Sequence, residues 1–213
     1  MYAVKSINKE KLNGDLYLLK RELEILRSCD HPNIAKFYES YQDNTFFHFV
    51  IEYCSGGDLV THIVKKKYLL EKDCKRLMFQ ILCAVNHLHD KKICHRDLKP
   101  DNFLFSNKDE ISDIKLIDFG LSKSFGETKH LKTVVGTPFY VAPDVFKGNY
   151  DEKCDYWSCG AMLYTMLCGT TPFQARTNKL IFSKINKCKY SFYHPIWSKI
   201  SDEAKDLIKR FLV

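Results

Sequence analysis

At 213 residues, 45% of them hydrophobic and 28% charged, the chain is long enough to bury a core and too mixed in composition to be disordered. Its formal net charge of +7 is dispersed, with Lys65, Lys66 and Lys67 the longest basic run, so a solvated surface is expected rather than a nucleic-acid patch. Nine scattered cysteines without a CxxC pair argue against a zinc ribbon or a disulfide framework. The longest apolar stretch, around Cys159 to Cys168, is too short to cross a bilayer, and a reduced, cytoplasmic protein with no membrane segment is expected.

Taken in chain order, Tyr2 to Ile7 reads as a strand, and Leu16, Leu19, Leu23 and Leu26 then fall at helical spacing. Two β-rich runs follow, Lys36 to Tyr41 and Thr45 to Tyr53, with Asp43 and Asn44 as the turn between them. From Gly57 onward the pattern is helical. Cys74, Leu77, Met78, Ile81, Leu82, Val85 and Leu88 form one apolar stripe, read as core. A charged loop runs from His95 to Asn102, short strand-like pieces lie near Phe103 to Phe105 and Ile114 to Ile117, and an irregular segment extends to Pro143. The almost wholly apolar segment from about Tyr156 to Leu167 should be a buried helix. Strands first and helices later predict an α+β fold.

The densest chemistry is His95, Arg96, Asp97, Leu98, Lys99, Pro100, Asp101, Asn102, followed sixteen residues after Asn102 by Asp118, Phe119 and Gly120. Phosphoryl transfer needs magnesium on hard oxygen ligands, which Asp118 and the Asn102 amide oxygen can supply. It needs a carboxylate to orient the attacking hydroxyl and take its proton, a role suited to Asp97, and Lys99 can offset charge on the transferring group. An isolated Asp more often just caps a turn. Eleven motif positions in order make that reading poor here.

HRDLKPDN with DFG resembles the catalytic and metal loops of eukaryotic protein kinases, and the resemblance extends along the whole chain. It implies a two-lobed kinase fold, with residues 1–53 as a partial N-terminal lobe and 54–213 as a mostly helical C-terminal lobe. It also implies ATP and Mg²⁺ as cofactors. Lys5, in Ala3-Val4-Lys5, is then the lysine that holds the ATP phosphates, with Glu22 as its ion-pair partner in preference to Glu24. Ile51, Glu52, Tyr53 and Cys54 match the hinge, where main-chain groups near Glu52 and Cys54 would bond adenine and Ile51 would lie behind it. Asp58, in Ser55-Gly56-Gly57-Asp58, would meet the ribose or a basic substrate residue, although such a turn is often simply a helix start. Asp155 would hold the catalytic loop from below.

Gly136 to Asp144 resembles the segment that docks substrate peptide, with Asp144 where the family usually has Glu. The arginine partner of that Glu has no counterpart before Val213, so that corner is expected to lack its usual ion pair. Lys99, Pro100 and Thr137 favour serine or threonine acceptors in protein substrates. DHPNI at Asp30 to Ile34 and YDEKCDYWSCG at Tyr150 to Gly160 bring the chain nearest the calcium/calmodulin-dependent and calcium-dependent kinases. That likeness implies basic residues before the target hydroxyl, with Asp58 and Asp101 as candidate acidic readers. Thr133 is a candidate site for an upstream kinase, and its phosphate would pair with Arg96.

No GxGxxG occurs among the nine glycines, so the glycine-rich lid expected before Val4 is missing and Tyr2 to Ile7 should form an open sheet edge. A fragment, a truncated product and a pseudokinase or scaffold are all readings of that feature. No EF-hand loop is present.

Overall fold

The computed structural model describes residues 1–10, 16–109, 111–120, 122–124 and 138–213. Strand β1 (Tyr2–Asn8) alternates in exposure, with Ala3, Lys5 and Ile7 turned inward and Tyr2 and Val4 outward. Helix α1 (Leu16–Ser28) buries Leu19, Glu22, Ile25 and Leu26 on one face, while Glu24 is exposed. The helical period thus places a carboxylate in the middle of an otherwise apolar stripe.

Strands β2 (Phe37–Gln42) and β3 (Phe46–Glu52) complete a three-stranded antiparallel sheet in the order β1-β3-β2. The turn between β2 and β3 is closed by Asp43, whose Oδ1 accepts the N–H groups of Thr45 and Phe46, each at 2.7 Å. Lys5 lies opposite Phe49, which is buried, and β1 forms one edge of the sheet. The Asp30 to Ile34 segment leaves α1 and bonds elsewhere: Asn33 Nδ2 donates to Ile114 O at 2.9 Å and Ala35 N–H to Leu116 O at 2.9 Å.

Helix α2 (Leu59–Lys66) starts at Asp58, and α3 (Glu71–Asp90) buries Cys74, Leu77, Met78, Ile81, Val85 and Leu88 of the stripe expected from spacing, with Ala84 buried beside them and Leu82 only half-buried. After α3 come two short antiparallel ladders. Strand β4 (Ile93–Cys94) pairs with β7 (Lys123–Ser124), and β5 (Phe103–Phe105) pairs with β6 (Ile114–Leu116). Phe103, Phe105, Ile114 and Leu116 are fully buried, and each such side chain removed from water contributes about 1.5–3 kcal/mol. The β5–β6 hairpin is therefore fixed to the core by its side chains as well as by its ladder.

Helix α4 (Pro143–Lys147) leads to α5 (Lys153–Cys168), which is buried almost throughout, as its composition predicts. Helices α6 (Asn178–Asn186) and α7 (Asp202–Phe211) finish the helical layer. At Gly160 α5 packs closely on α7: a Cβ there would lie 2.5 Å from Phe211 Cβ. The strand-like pieces end at Leu116 rather than Ile117, and β4 and β7 lie in stretches for which the sequence predicts no strand. A two-residue strand is too short to show alternation.

Candidate active site

The two ladders explain why distant motifs meet. Residues 95–102 connect β4 to β5, and residues 117–122 connect β6 to β7. Because β4 pairs with β7 and β5 with β6, the two loops run side by side between ladders that fasten both ends of each. At one end Ile117 N–H donates to Asn102 O at 3.0 Å, and at the other Ser122 Oγ donates to His95 O at 3.4 Å.

Within this frame the predicted groups converge. Asn102 Nδ2 donates to Asp97 O at 2.8 Å and approaches Asp97 Oδ2 at 3.4 Å, which leaves its amide oxygen to face elsewhere. Lys99 Nζ lies 2.8 Å from Asp97 Oδ2. His95, absent from the candidates drawn from the sequence, links the loops: its Nε2–H donates to Asp118 O at 2.5 Å, and its Nδ1 accepts from Asp97 N–H at 3.3 Å. Burial lowers the His95 pKa, in keeping with a neutral ring that donates at one nitrogen and accepts at the other.

Lys5 reaches this centre from the sheet. Its Nζ lies 2.7 Å from Glu22 Oε1 and 2.9 Å from Asp118 Oδ1, so Glu22 rather than Glu24 is the partner. Burial by itself would lower the lysine pKa, but the two carboxylates outweigh it and hold it above its ordinary value. Burial pushes the Asp118 carboxyl up, and Lys5 outweighs that, holding it below the usual carboxylate value. Gly120 N–H also donates to Asp118 Oδ1, at 3.2 Å.

Asp155 anchors the loop between β4 and β5. It is fully buried, its Oδ2 accepts His95 N–H and His89 Nε2–H, and its Oδ1 accepts Arg96 N–H, all at 2.8 Å. Arg96 has a positive φ of 71°, a backbone geometry that L-residues rarely adopt, and the carboxylate beneath it secures that bend. Burial raises the Asp155 pKa, but the hydrogen bond from His89 and the nearby His95 bring it below its ordinary value. His89, on the last turn of the apolar stripe helix, carries no motif signal of its own.

The hinge candidates lie where β3 gives way to α2. Glu52 N–H is committed to Lys36 O at 2.8 Å, and its carboxylate pairs with Lys115 Nζ at 2.8 Å. Ile51 and Cys54 are both half-buried. The following turn is sewn to β5 by Gly56 N–H to Phe105 O at 3.0 Å and Phe105 N–H to Gly57 O at 2.9 Å. Asp58 caps α2, with Oδ1 accepting Thr61 N–H at 2.6 Å and Oδ2 accepting Thr61 Oγ1–H at 2.9 Å. The helix-start role is thus present at Asp58. Asp101 is exposed, and Asp144 pairs with Lys147 at 2.8 Å. Arg96 is buried and its Nη1 donates to Tyr150 Oη at 3.2 Å. Thr133, Gly136 and Thr137 lie outside the described residues.

The protein kinase domain model matches residues 1–213. The chain belongs to the protein kinase family. Among curated proteins this kinase domain is similar to calcium-dependent protein kinase 3 of Plasmodium yoelii yoelii, at 44% identity over 99% of the chain and 39% of the relative. Calcium-dependent protein kinase 4 of Plasmodium berghei (strain Anka) is 45% identical over 100% of the chain and 41% of the relative. Calcium-dependent protein kinase 5 of Plasmodium falciparum (isolate 3D7) is 43% identical over 97% and 36%. The chain spans about two-fifths of the length of these relatives. No helix among the described residues is long and apolar enough to cross a membrane.

Proposed function

We propose that this kinase domain transfers the terminal phosphoryl group of ATP to serine or threonine hydroxyls of protein substrates. The observation that carries the reading is Lys5 Nζ held between Glu22 and Asp118 at 2.7 and 2.9 Å, beside Asp97 and Asn102 on the adjoining loop. The donor set fits magnesium, since the Asp118 carboxylate and the Asn102 amide oxygen are hard ligands on neighbouring loops. When bound, that ion would supply charge neutralisation at the phosphates. Residues 1–53 and 54–213 would act as two lobes around the nucleotide.

In this reading Lys5 orients the α- and β-phosphates, kept in place by Glu22. Asp97 orients the acceptor hydroxyl and takes its proton, and Lys99, 2.8 Å from it, offsets charge on the transferring group. Adenine would lie against Ile51, using the Glu52 carbonyl and main-chain groups of Cys54, while Asp58 is the ribose candidate. Lys99, Pro100 and Thr137 support a serine or threonine acceptor, and the likeness to calcium-dependent kinases in DHPNI and YDEKCDYWSCG supports basic residues near it, with Asp101 and Asp58 as the acidic readers. Thr133 is the candidate activating site for an upstream kinase, and a soluble, cytoplasmic setting without nucleic-acid partners accompanies the proposal.

The test is magnesium-dependent transfer of labelled phosphate from ATP to a basic peptide carrying serine, threonine or tyrosine, by the chain and by Asp97→Asn. Label on serine or threonine, lost in the variant, is expected. Equal background rates in both would favour a scaffold.

A further inference from the structure

Cys94 ends β4 immediately before His95, and Cys154 is the second residue of α5, immediately before Asp155. Their sulfurs lie 3.4 Å apart, and all nine cysteines of the chain are unbridged. A disulfide needs about 2.05 Å between sulfurs, so an approach of roughly 1.4 Å would join them. Phosphoryl transfer as described above uses neither thiol.

The two thiols differ in access. Cys94 is fully buried, whereas Cys154 is 7% exposed and lines a cleft of about 580 Å³ together with Ala142, Tyr150, Trp157 and Phe211. They differ in electrostatics too. Either sulfur can donate in the hydrogen bond they share; at Cys154 that bond and Arg96 favour the thiolate, but burial and Asp155 outweigh them and leave the thiol above its ordinary value. The hydrogen bond with Cys154 and burial hold the Cys94 thiol well above the usual range. The sulfur that lines the cleft is the one a small oxidant reaches first, and the sealed sulfur is in contact with it at 3.4 Å. That is the arrangement of an attacking and a resolving cysteine.

We propose that Cys94 and Cys154 form an oxidative modification site, in which a small peroxide oxidises Cys154 and Cys94 closes a disulfide beneath the catalytic loop. In the first step the Cys154 thiolate, its proton lost to solvent, attacks one peroxide oxygen and breaks the O–O bond. This gives Cys154 sulfenic acid and, after protonation, water. In the second, the Cys94 sulfur attacks the Cys154 sulfur; the S–O bond breaks, the hydroxyl leaves as water with the Cys94 proton, and the S–S bond forms. The sulfur pair loses two electrons and the peroxide gains them. The new bond would tie the end of β4 to the start of α5, displacing the main chain whose His95 and Arg96 N–H groups rest on Asp155.

The test is hydrogen peroxide treatment of the full chain at pH 7 and pH 9, followed by alkylation and non-reducing peptide mass mapping. A Cys94–Cys154 linked peptide is expected, forming several-fold faster at pH 9 and removed by dithiothreitol. In Cys94→Ala the expected product is Cys154 sulfenic acid, trapped by a cyclic 1,3-diketone. Failure of the linked peptide to form while the half-buried Cys54, Cys83 and Cys188 are oxidised would overturn the proposal. So would an untrapped, unmodified Cys154 in Cys94→Ala. Neither readout requires the chain to be an active kinase.

Discussion

The Lys5 ammonium lies 2.9 Å from the Asp118 carboxylate although 113 positions separate them, and this ion pair couples the sheet to the loop between β6 and β7. Lys5→Met should lower phosphoryl transfer on the order of 10²-fold, the scale for losing one preorganised charge stabiliser. The measurement is kcat/KM for ATP with a basic peptide. Circular dichroism should show the fold kept, because Lys5 is partly exposed and leaves no large cavity.

Asp155→Asn should be more damaging to the fold. The buried carboxylate accepts from His95, Arg96 and His89, and an amide would present a donor to one of them. Breaking a buried charged network of this kind costs about 3–5 kcal/mol, readable in urea unfolding.

The same residue fixes the sign of an acid limb. Asp155 and Asp118 both titrate below their ordinary 3.8 in the folded state, so their stabilising contribution is fully present above that value. It is lost as pH falls through the depressed folded values. Lys5 has the opposite sense: raised above 10.5, its contribution is present below that pH and is lost as pH rises through its folded value. Thermal unfolding across pH 2–6 should give an acid limb that is steeper in the wild type than in Asp155→Asn.

Gly160→Ala tests helix packing without touching the site. Its Cβ would come within 2.5 Å of Phe211 Cβ and 3.2 Å of Leu212 side-chain atoms, so α7 must move. A loss of about 1–3 kcal/mol in unfolding free energy is expected for this overpacking, with nucleotide affinity unchanged.

Much of the site is written in local order. Asp97, Lys99, Asn102 and Asp118 occur in two dense motifs, and the stripe of α3 and the apolar run of α5 declare their burial through period and composition. The pairing of Lys5 with Glu22 follows from the inward face of β1 and the buried face of α1. What stays hidden depends on tertiary contact. The ladders between β4 and β7 are two residues long, too short for periodicity, yet they set the loops side by side. His89 looks like any helix histidine, and His95, although inside HRDLKPDN, shows no partner, until Asp155 and Asp118 are brought to them. Asp58 has a chain-local role as a helix cap.

The most direct measurement separates binding from chemistry at the convergent loops: titration of ATP with Mn²⁺ in place of Mg²⁺, monitored by electron paramagnetic resonance, alongside peptide phosphorylation. Asp97→Asn should bind the metal nucleotide as the wild type does while turnover falls by roughly 10²–10⁴-fold. Asp118→Asn should lose both. Unchanged metal-nucleotide binding in Asp118→Asn would contradict the account.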